Sequence, residues 1–393
     1  QTLDRFMNSY PDDGGCDEGP SYWGQAGGSL FECLELLSSA TNGKVDIFSK
    51  SLVQEIGRYI YRAHIHDSYY VNFSDAPARV SISSDLVKRY GLRIHDDTLA
   101  GLGAFAANLD RRANAVGRGS LTRQLSSLFN AEAGKSIEPR EPLLKDVWMP
   151  QTQFMAAREF DNSFKGLYLA AQGLHNEKSH NHNDVGNFVI YSEGEPVIID
   201  VGVEAYTAKT FSKERYTLWT MQSAYHNLPT INGTMQANGR KYAAKDVRYE
   251  PGKDSVRFSL NLAGAYPPEA AVNSWHRALT LDRKRGRVEL REEYSIGNPV
   301  KDVTLSLMTP CQIVENRADC LVLRQTNKGS ESGSVDIVLQ FEPEKLAAQV
   351  ETIPLKDERL RRIWGDNLQR ILLKAKSSDQ RAGYMVSFIR KAE

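Results

Sequence analysis

Three histidines and one aspartate stand beside strand-like segments in the middle of the chain. His180 and His182, in the segment SHNHND, are separated by one residue, and in an extended backbone such residues point to the same side. Asp200 ends the apolar segment PVIID, and the intervening turn SEGEP predicts a hairpin that returns Asp200 to His182. His226 follows in SAYHNLPTING. Two imidazoles and a carboxylate are ligands that zinc takes, with a fourth position left open.

The residues alone leave two other interpretations of this pattern. The side chains could form a hydrogen-bonded polar cluster in which Asp200 is a turn residue before Gly202. The histidines could also act in catalysis without a metal. Asp184 is an alternative acidic ligand, and neighbouring asparagines such as Asn181 could fix the imidazole tautomers.

Composition excludes several classes of function. The 49 Lys and Arg residues balance the 49 Asp and Glu residues, so we expect no nucleic-acid partner. No apolar run approaches the roughly 20 residues of a membrane helix, so we expect no membrane insertion. The 4 cysteines are too few for a disulfide framework. A chain of 393 residues favours two domains.

The first third of the chain has a helical pattern. Apolar residues recur three and four positions apart in residues 29–40, 51–65, 98–109 and 120–133. Ser51 and Asp97 occupy positions typical of N-caps. His64 and His66 are expected at a helix end, where a cation suits the helix dipole. Residues 133–146, interrupted by proline, are interpreted as a linker.

Beyond residue 146 the apolar period becomes two, and short strands alternate with Gly, Asn, Asp and Pro turns. Helices in one block and strands in the next predict an α+β protein of two domains. We expect a domain of helical hairpins over residues 1–135 and a large antiparallel β-sandwich over residues 136–393.

Several motifs resemble the heparinase II/III-type polysaccharide lyases. They are HNHNDVGNFVIYSEGEPVIIDVG, FSKERYTLW and SAYHNLPTINGTMQANGRKY, and the segment DDGGCDEGPSYWGQAGG is similar to the family's acidic-Gly-Pro-x-Tyr segment. In that family about half of the helical domain precedes this segment, whereas 18 residues precede Gly19 here. The resemblance therefore covers a C-terminal portion of the family's architecture.

The resemblance implies a partial α/α toroid followed by the β-sandwich. It implies β-elimination of a uronate-containing polysaccharide, glycosaminoglycan-like or alginate-like, with one zinc ion. Carried over by position, the catalytic residues are Tyr22, His180 and Tyr216, and the zinc ligands are His182, Asp200 and His226.

We further predict that Glu18, Arg215 and Asn181 bind the substrate, an acidic polysaccharide or oligosaccharide. Arg215 would hold a carboxylate or form a salt bridge within the protein, and Glu18 would orient Tyr22 or cap a helix. A lyase for such a polymer is expected in the periplasm or secreted. Two alternatives are a zinc-dependent hydrolase and a non-catalytic glycan-binding protein with a structural metal. The oligomeric state is left open by the sequence.

Overall fold

The computed structural model describes residues 2–112, 121–130, 137–298, 300–325 and 335–391. The chain forms two compact units. The helical unit comprises Gln1–Asn72, Ala76–Leu143 and Met149–Thr152, and the β unit comprises Phe73–Asp75, Leu144–Trp148 and Gln153–Glu393. The α+β prediction is confirmed. The predicted domain boundary between residues 135 and 136 lies outside the described residues, and the toroid arrangement stays a prediction.

The helices lie almost entirely in the first part of the chain. They are α1 (Thr2–Ser9), α2 (Pro20–Trp23), α3 (Gly27–Ala40), α4 (Ser51–Arg62), α5 (Ser84–Arg93), α6 (Asp97–Arg112), α7 (Leu121–Phe129) and α8 (Glu358–Trp364). The predictions that correspond to α3, α4, α6 and α7 are confirmed, although residues 120 and 131–133 of the last predicted segment lie outside the described residues. Helices α1, α5 and α8 were not predicted. Across the described part of the chain, no helix is long and apolar enough to span a bilayer.

Aromatic side chains pack the centre of the helical unit. The Tyr90 ring stacks on Phe31 at 4.6 Å and on Trp23 at 6.0 Å between centroids. The Trp23 indole donates a hydrogen bond to the Ile56 carbonyl oxygen at 2.7 Å, which ties α2 to α4. These contacts fix the short helix that carries Tyr22.

The predicted N-caps lie one residue too far toward the C-terminus. Ser51 and Asp97 are the first residues of their helices, because the extended residue before α4 is Lys50. Before α6, the Asp96 carboxylate accepts a hydrogen bond from the Leu99 backbone N–H at 2.9 Å, as a capping side chain does.

His64 and His66 do not lie at a helix end. Helix α4 stops at Arg62, and the two histidines form strand β1 (His64–His66), which pairs with β2 (Tyr69–Tyr70). His64 Nε2 and His66 Nδ1 each lie 2.9 Å from the same oxygen, Oε1 of Glu141. This shared carboxylate, rather than a helix dipole, is the partner of both imidazoles.

The β unit contains most of the strands. They are β3 (Asp146–Met149), β4 (Phe154–Arg158), β5 (Leu167–Gln172), β6 (His175–Asn176), β7 (Phe188–Ser192), β8 (Glu195–Ile198), β9 (Pro229–Ile231), β10 (Gly239–Ala243), β11 (Lys245–Glu250), β12 (Ser255–Asn261), β13 (Val272–Asp282), β14 (Arg287–Ile296), β15 (Val303–Thr309), β16 (Gln312–Asn316), β17 (Cys320–Arg324), β18 (Asp336–Phe341), β19 (Leu346–Pro354), β20 (Asn367–Ala375) and β21 (Arg381–Arg390).

These strands form three main sheets. An eight-stranded sheet has the order β11-β12-β13-β14-β21-β18-β17-β16, a five-stranded sheet the order β3-β4-β5-β7-β8, and a four-stranded sheet the order β19-β20-β15-β9. Adjacent strands of the eight-stranded and four-stranded sheets are antiparallel. Buried side chains from all three sheets form one hydrophobic core, which agrees with the predicted antiparallel sandwich.

The hairpin that precedes Asp200 forms as the sequence predicts. Strands β7 and β8 pair, with Ser192 opposite Glu195. The two turn residues, Glu193 and Gly194, have φ values of 53° and 78°. Two positive φ values in a two-residue turn match the right-handed twist of a hairpin. This turn sends β8 back along β7 and so determines where Asp200 lies.

Candidate active site and metal centre

His182, Asp200 and His226 form a fully buried cluster in the β unit. Each has 0% of its surface exposed, and one ligand atom from each lies within 4.8 Å of the others. The hairpin returns Asp200 to His182, as predicted. His226 lies beside both residues, which was also predicted. Asp184 is not a member of this group, and its carboxylate accepts a hydrogen bond from Gln172 at 2.5 Å.

Loops rather than strands carry the three residues. His182 lies in the irregular segment before β7, Asp200 follows the end of β8, and His226 follows a 3-10 turn at Ser223–Tyr225. The Asp200 carboxylate accepts hydrogen bonds from the Gly202 backbone N–H and the Asn187 side-chain amide, both at 2.8 Å. These bonds orient the carboxylate toward the imidazoles.

Each imidazole of the cluster has one engaged nitrogen and one that lacks a hydrogen-bond partner within the described part of the chain. His182 Nε2 lies 3.0 Å from Asp75 Oδ1, and His226 Nδ1 lies 3.2 Å from Asp200 Oδ2. His182 Nδ1 and His226 Nε2 are buried and have no hydrogen-bond partner among the described residues. A buried polar atom without a partner costs about 1–3 kcal/mol. A cation held by these two nitrogens and Asp200 would remove that cost, so the residues present fit a metal ion.

The donor set further restricts the metal. Two imidazole nitrogens and a carboxylate oxygen suit Zn²⁺ in a site with one open position. The second ring nitrogen of His182 meets Asp75, a carboxylate outside the ligand set. Carboxylates in that position commonly fix the tautomer of a metal-binding histidine.

Asp75 is the central acceptor of the site, although nothing in the sequence around it indicates that role. Its Oδ2 lies 2.8 Å from His180 Nδ1 and accepts a hydrogen bond from the Tyr206 hydroxyl at 3.0 Å. Its Oδ1 lies 3.0 Å from His182 Nε2 and accepts a hydrogen bond from Arg215 at 2.6 Å. Although it lies between helical segments of the chain, Asp75 belongs to the β unit.

The charge of Asp75 is retained despite its burial. Burial raises the pKa of this carboxyl, but the hydrogen bonds and charges of His182 and Arg215 outweigh it. The pKa of Asp75 therefore lies well below its ordinary range. A permanently charged acceptor can hold two imidazoles in a defined orientation.

His180 is held in an uncommon backbone conformation. Its φ is 55°, and a non-glycine residue in that region costs of order 1–3 kcal/mol, typically at functional sites. Its imidazole is 22% exposed, whereas that of His182 is fully buried. Tyr206 lies close by, with its hydroxyl 3.4 Å from His180 Nδ1. His180 thus presents a partly exposed imidazole next to the buried cluster.

Arg215 and Asn181, two predicted substrate-binding residues, lie in the same neighbourhood. The Arg215 guanidinium donates to Asp75, to the Asn181 carbonyl oxygen at 3.0 Å and to the Thr210 carbonyl oxygen at 3.3 Å. It forms the internal salt bridge that the sequence left as an alternative. The Asn181 side-chain nitrogen is buried without a hydrogen-bond partner among the described residues.

The remaining predicted residues lie elsewhere in the two units. Tyr216 is half-buried in a 3-10 turn, Arg215–Thr217, and among the described residues no hydrogen bond joins its hydroxyl to His180 or Asp75. Tyr22 is in α2, and Glu18 precedes that helix in the helical unit. The roles of Tyr216, Tyr22 and Glu18 stay predictions.

Comparison with known proteins identifies the class of the β unit. Residues 142–299 match the family model described as Heparinase II/III-like, C-terminal. No curated protein matches the sequence. Residues 142–299 are therefore heparinase II/III-like, as the motifs suggested, and the site described above lies mostly within them.

Solved structures with the same fold extend the comparison. The heparinase III-BT4657 gene product superposes with a TM-score of 0.70 at 15% identity, over 100% of this chain and 54% of that one. Heparan sulfate lyase HepC from Pedobacter heparinus gives 0.68 at 12%, over 100% and 55%. A structure of heparinase III gives 0.69 at 16%, over 99% and 56%. At these identities the likeness is one of fold, and the chain spans about half the length of these proteins.

Proposed function

We propose that the protein is a polysaccharide lyase that cleaves a uronate-containing polysaccharide, glycosaminoglycan-like or alginate-like, by β-elimination. One observation carries the proposal: the strained, partly exposed His180 is fixed by Asp75 beside the buried His182, Asp200 and His226 group. The heparinase II/III-like domain and the lyases among the similar folds support it.

The chemistry sets what the residues must do. Elimination removes the C5 proton of the uronate and expels the sugar oxygen linked at C4. The C5 proton is a weak acid, so the negative charge that develops next to the carboxylate must be stabilised in place. A positioned base and a positioned acid each contribute about 10²–10⁴-fold in rate.

His180 is the proposed catalytic histidine. A hydrogen bond from its Nδ1–H to Asp75 leaves Nε2 as the basic nitrogen. The charge of Asp75 also stabilises the imidazolium that forms when Nε2 accepts a proton. The Tyr206 hydroxyl, which donates to the same oxygen, helps to hold this carboxylate.

Two tyrosines are proposed as further proton-transfer groups, on the resemblance alone. Tyr22 is the proposed catalytic tyrosine of the helical unit, and Tyr216 corresponds to a tyrosine of alginate-type relatives. Asn181 is the best placed of the proposed substrate-binding groups, because its buried amide nitrogen lacks a partner among the described residues. Glu18 completes the proposed set, whereas the Arg215 guanidinium is bound to Asp75 within the protein.

His182, Asp200 and His226 are the proposed zinc ligands. When bound, zinc supplies positive charge beside the reacting uronate and ties the three loops together. The chain's own residues keep the site dry, since all three ligands are fully buried. Because the substrate is an extracellular polymer, we propose that the protein acts in the periplasm or is secreted.

The experiment is an incubation of the protein with purified heparan sulfate, chondroitin sulfate, hyaluronan and alginate. Ultraviolet absorbance reports the 4,5-unsaturated uronate, and mass spectrometry identifies the products. A lyase gives oligosaccharides with the new double bond. Products that have gained water instead would identify a hydrolase. Binding without products would identify a glycan-binding protein, and either result would contradict the proposal.

A further inference from the structure

The loops that carry the proposed metal ligands are held by a buried ion pair outside the ligand set. Arg277 on β13 and Glu292 on β14 are both fully buried, and Arg277 Nε donates to Glu292 Oε1 at 2.8 Å. A second guanidinium nitrogen, Nη2, donates to the same oxygen. The Trp275 indole donates to the other carboxylate oxygen at 2.6 Å. Glu292 thus fixes the plane of the guanidinium.

The third guanidinium nitrogen joins the two ligand-bearing loops. Arg277 Nη1 donates to the carbonyl oxygens of Gly186 and Asn227, each at 2.8 Å. Gly186 precedes Asn187, whose amide holds Asp200, and Asn227 directly follows His226. The Asn227 backbone N–H donates to Asn187 Oδ1 at 3.0 Å. One nitrogen of Arg277 therefore fixes the separation of the loops that place Asp200 and His226.

The backbone at Gly186 leaves no room for a side chain. Gly186 has a φ of 83°, and a Cβ atom there would lie 2.4 Å from Leu262 Cδ2. Neither Gly186 nor Asn227 lies in a strand, so no strand pairing holds either loop at these residues. A guanidinium holds its N–H donors in a fixed planar fork, whereas an ammonium group is a compact charge whose donors rotate.

Stability alone does not explain a buried ion pair at this position. Desolvation of two charges is costly, and replacement of such pairs by apolar residues of similar volume is often neutral or stabilising. We infer that the Arg277–Glu292 pair positions the metal centre, holding the Gly186 and Asn227 loops so that Asp200 and His226 meet His182 at ligand distance. The inference rests on the proposed metal site and adds two positioning residues to it.

The test compares zinc affinity in the wild type, the double variant R277M/E292L and the matched control R291M/E293L. The control removes an exposed pair of the same sheet, in which Arg291 lies 2.8 Å from Glu293. Affinity is measured by competition with a chromophoric chelator, and thermal unfolding is followed without zinc. We expect R277M/E292L to fold but, without zinc, to unfold below the wild-type temperature, because the carbonyl oxygens of Gly186 and Asn227 lose their donor. It should bind zinc about 10–100-fold more weakly. The control should match the wild type in both measurements.

A second variant, Arg277→Lys, keeps the charge opposite Glu292 but loses the fork of donors. We expect it to fold and to weaken zinc binding by about tenfold. Zinc affinity within twofold of the wild type in either folded variant would overturn the inference and leave the proposed function standing. Failure of both variants to fold would also overturn it, because the pair would then serve folding itself. A wild-type protein that binds no zinc would refute the metal centre and the inference together.

Discussion

Asp75 and His180 are 105 residues apart in the chain, yet Asp75 Oδ2 lies 2.8 Å from His180 Nδ1. The same carboxylate reaches His182, a proposed metal ligand, through its other oxygen. One buried acid therefore orients the proposed catalytic imidazole and a metal-binding imidazole together. This arrangement makes Asp75 the residue on which the site most depends.

We predict that Asp75→Asn lowers kcat by about 10²–10⁴-fold, because the amide no longer fixes the His180 tautomer. It should also lower the free energy of unfolding by about 3–5 kcal/mol, since the part-buried Arg215 guanidinium loses its counter-charge. Lyase kinetics and urea denaturation measure the two effects. Asp254→Asn, at an exposed ion pair with Lys284, is the matched control and should change neither quantity. Wild-type kcat in Asp75→Asn would refute the orienting role.

The backbone at His180 gives a second prediction. Asparagine tolerates a positive φ better than alanine does, so His180→Asn should be more stable than His180→Ala by about 1 kcal/mol. Both variants should lose elimination activity, because neither side chain can take the proton. Urea denaturation of the two variants side by side measures the difference. Equal stabilities would show that the φ of 55° is not retained in solution.

The metal centre gives a third prediction. Purified wild-type protein should contain about one equivalent of zinc by elemental emission, and His182→Ala should contain none. His276→Ala, at an exposed histidine of β13, is the control and should keep its zinc. With zinc at 100 times its Kd, the wild-type fold gains about 2.7 kcal/mol over the chelated protein. A metal-free wild type would reduce the cluster to hydrogen-bonded polar residues.

Acid stability gives a fourth prediction, in the helical unit. Burial raises the pKa of Glu141, but hydrogen bonds from His64 and His66 outweigh it, so the pKa lies well below its ordinary range. A carboxyl with a lowered folded pKa stabilises the fold above its unfolded pKa, and that contribution is lost as pH falls toward the folded value.

We therefore expect stability to fall with decreasing pH from about pH 5 downward. Urea denaturation at pH 5 and pH 3 should show a smaller difference for Glu141→Gln than for the wild type. Glu138→Gln, at an exposed neighbouring position, should behave as the wild type does. An unchanged pH dependence in Glu141→Gln would contradict the assignment.

The sequence pattern predicted those parts of the site that depend on residues close together in the chain. A two-residue turn between apolar strands is enough to bring Asp200 back to His182, and the structure confirms it. The alternating strands after residue 146 were predicted for the same reason. Helix α8, a short helix among strands, was missed.

Contacts that depend on tertiary packing could not be predicted. Asp75 lies in NFSDAPAR, a turn-like segment between helices, and nothing in it indicates that Phe73–Asp75 join the β unit. Glu141 is likewise the hydrogen-bond partner of His64 and His66, but it lies 77 and 75 residues from them in the chain. Spacing reveals which side chains share a strand face, whereas a distant counter-charge appears only in the folded structure.

The most direct test of the account is the rate of unsaturated-uronate formation by the wild type and by His180→Asn, with His276→Asn as the control. Each variant is supplied with zinc, and circular dichroism verifies its fold. We expect elimination by the wild type and the control, and a loss of at least about 100-fold in kcat for His180→Asn. Elimination at the wild-type rate by folded His180→Asn would contradict it.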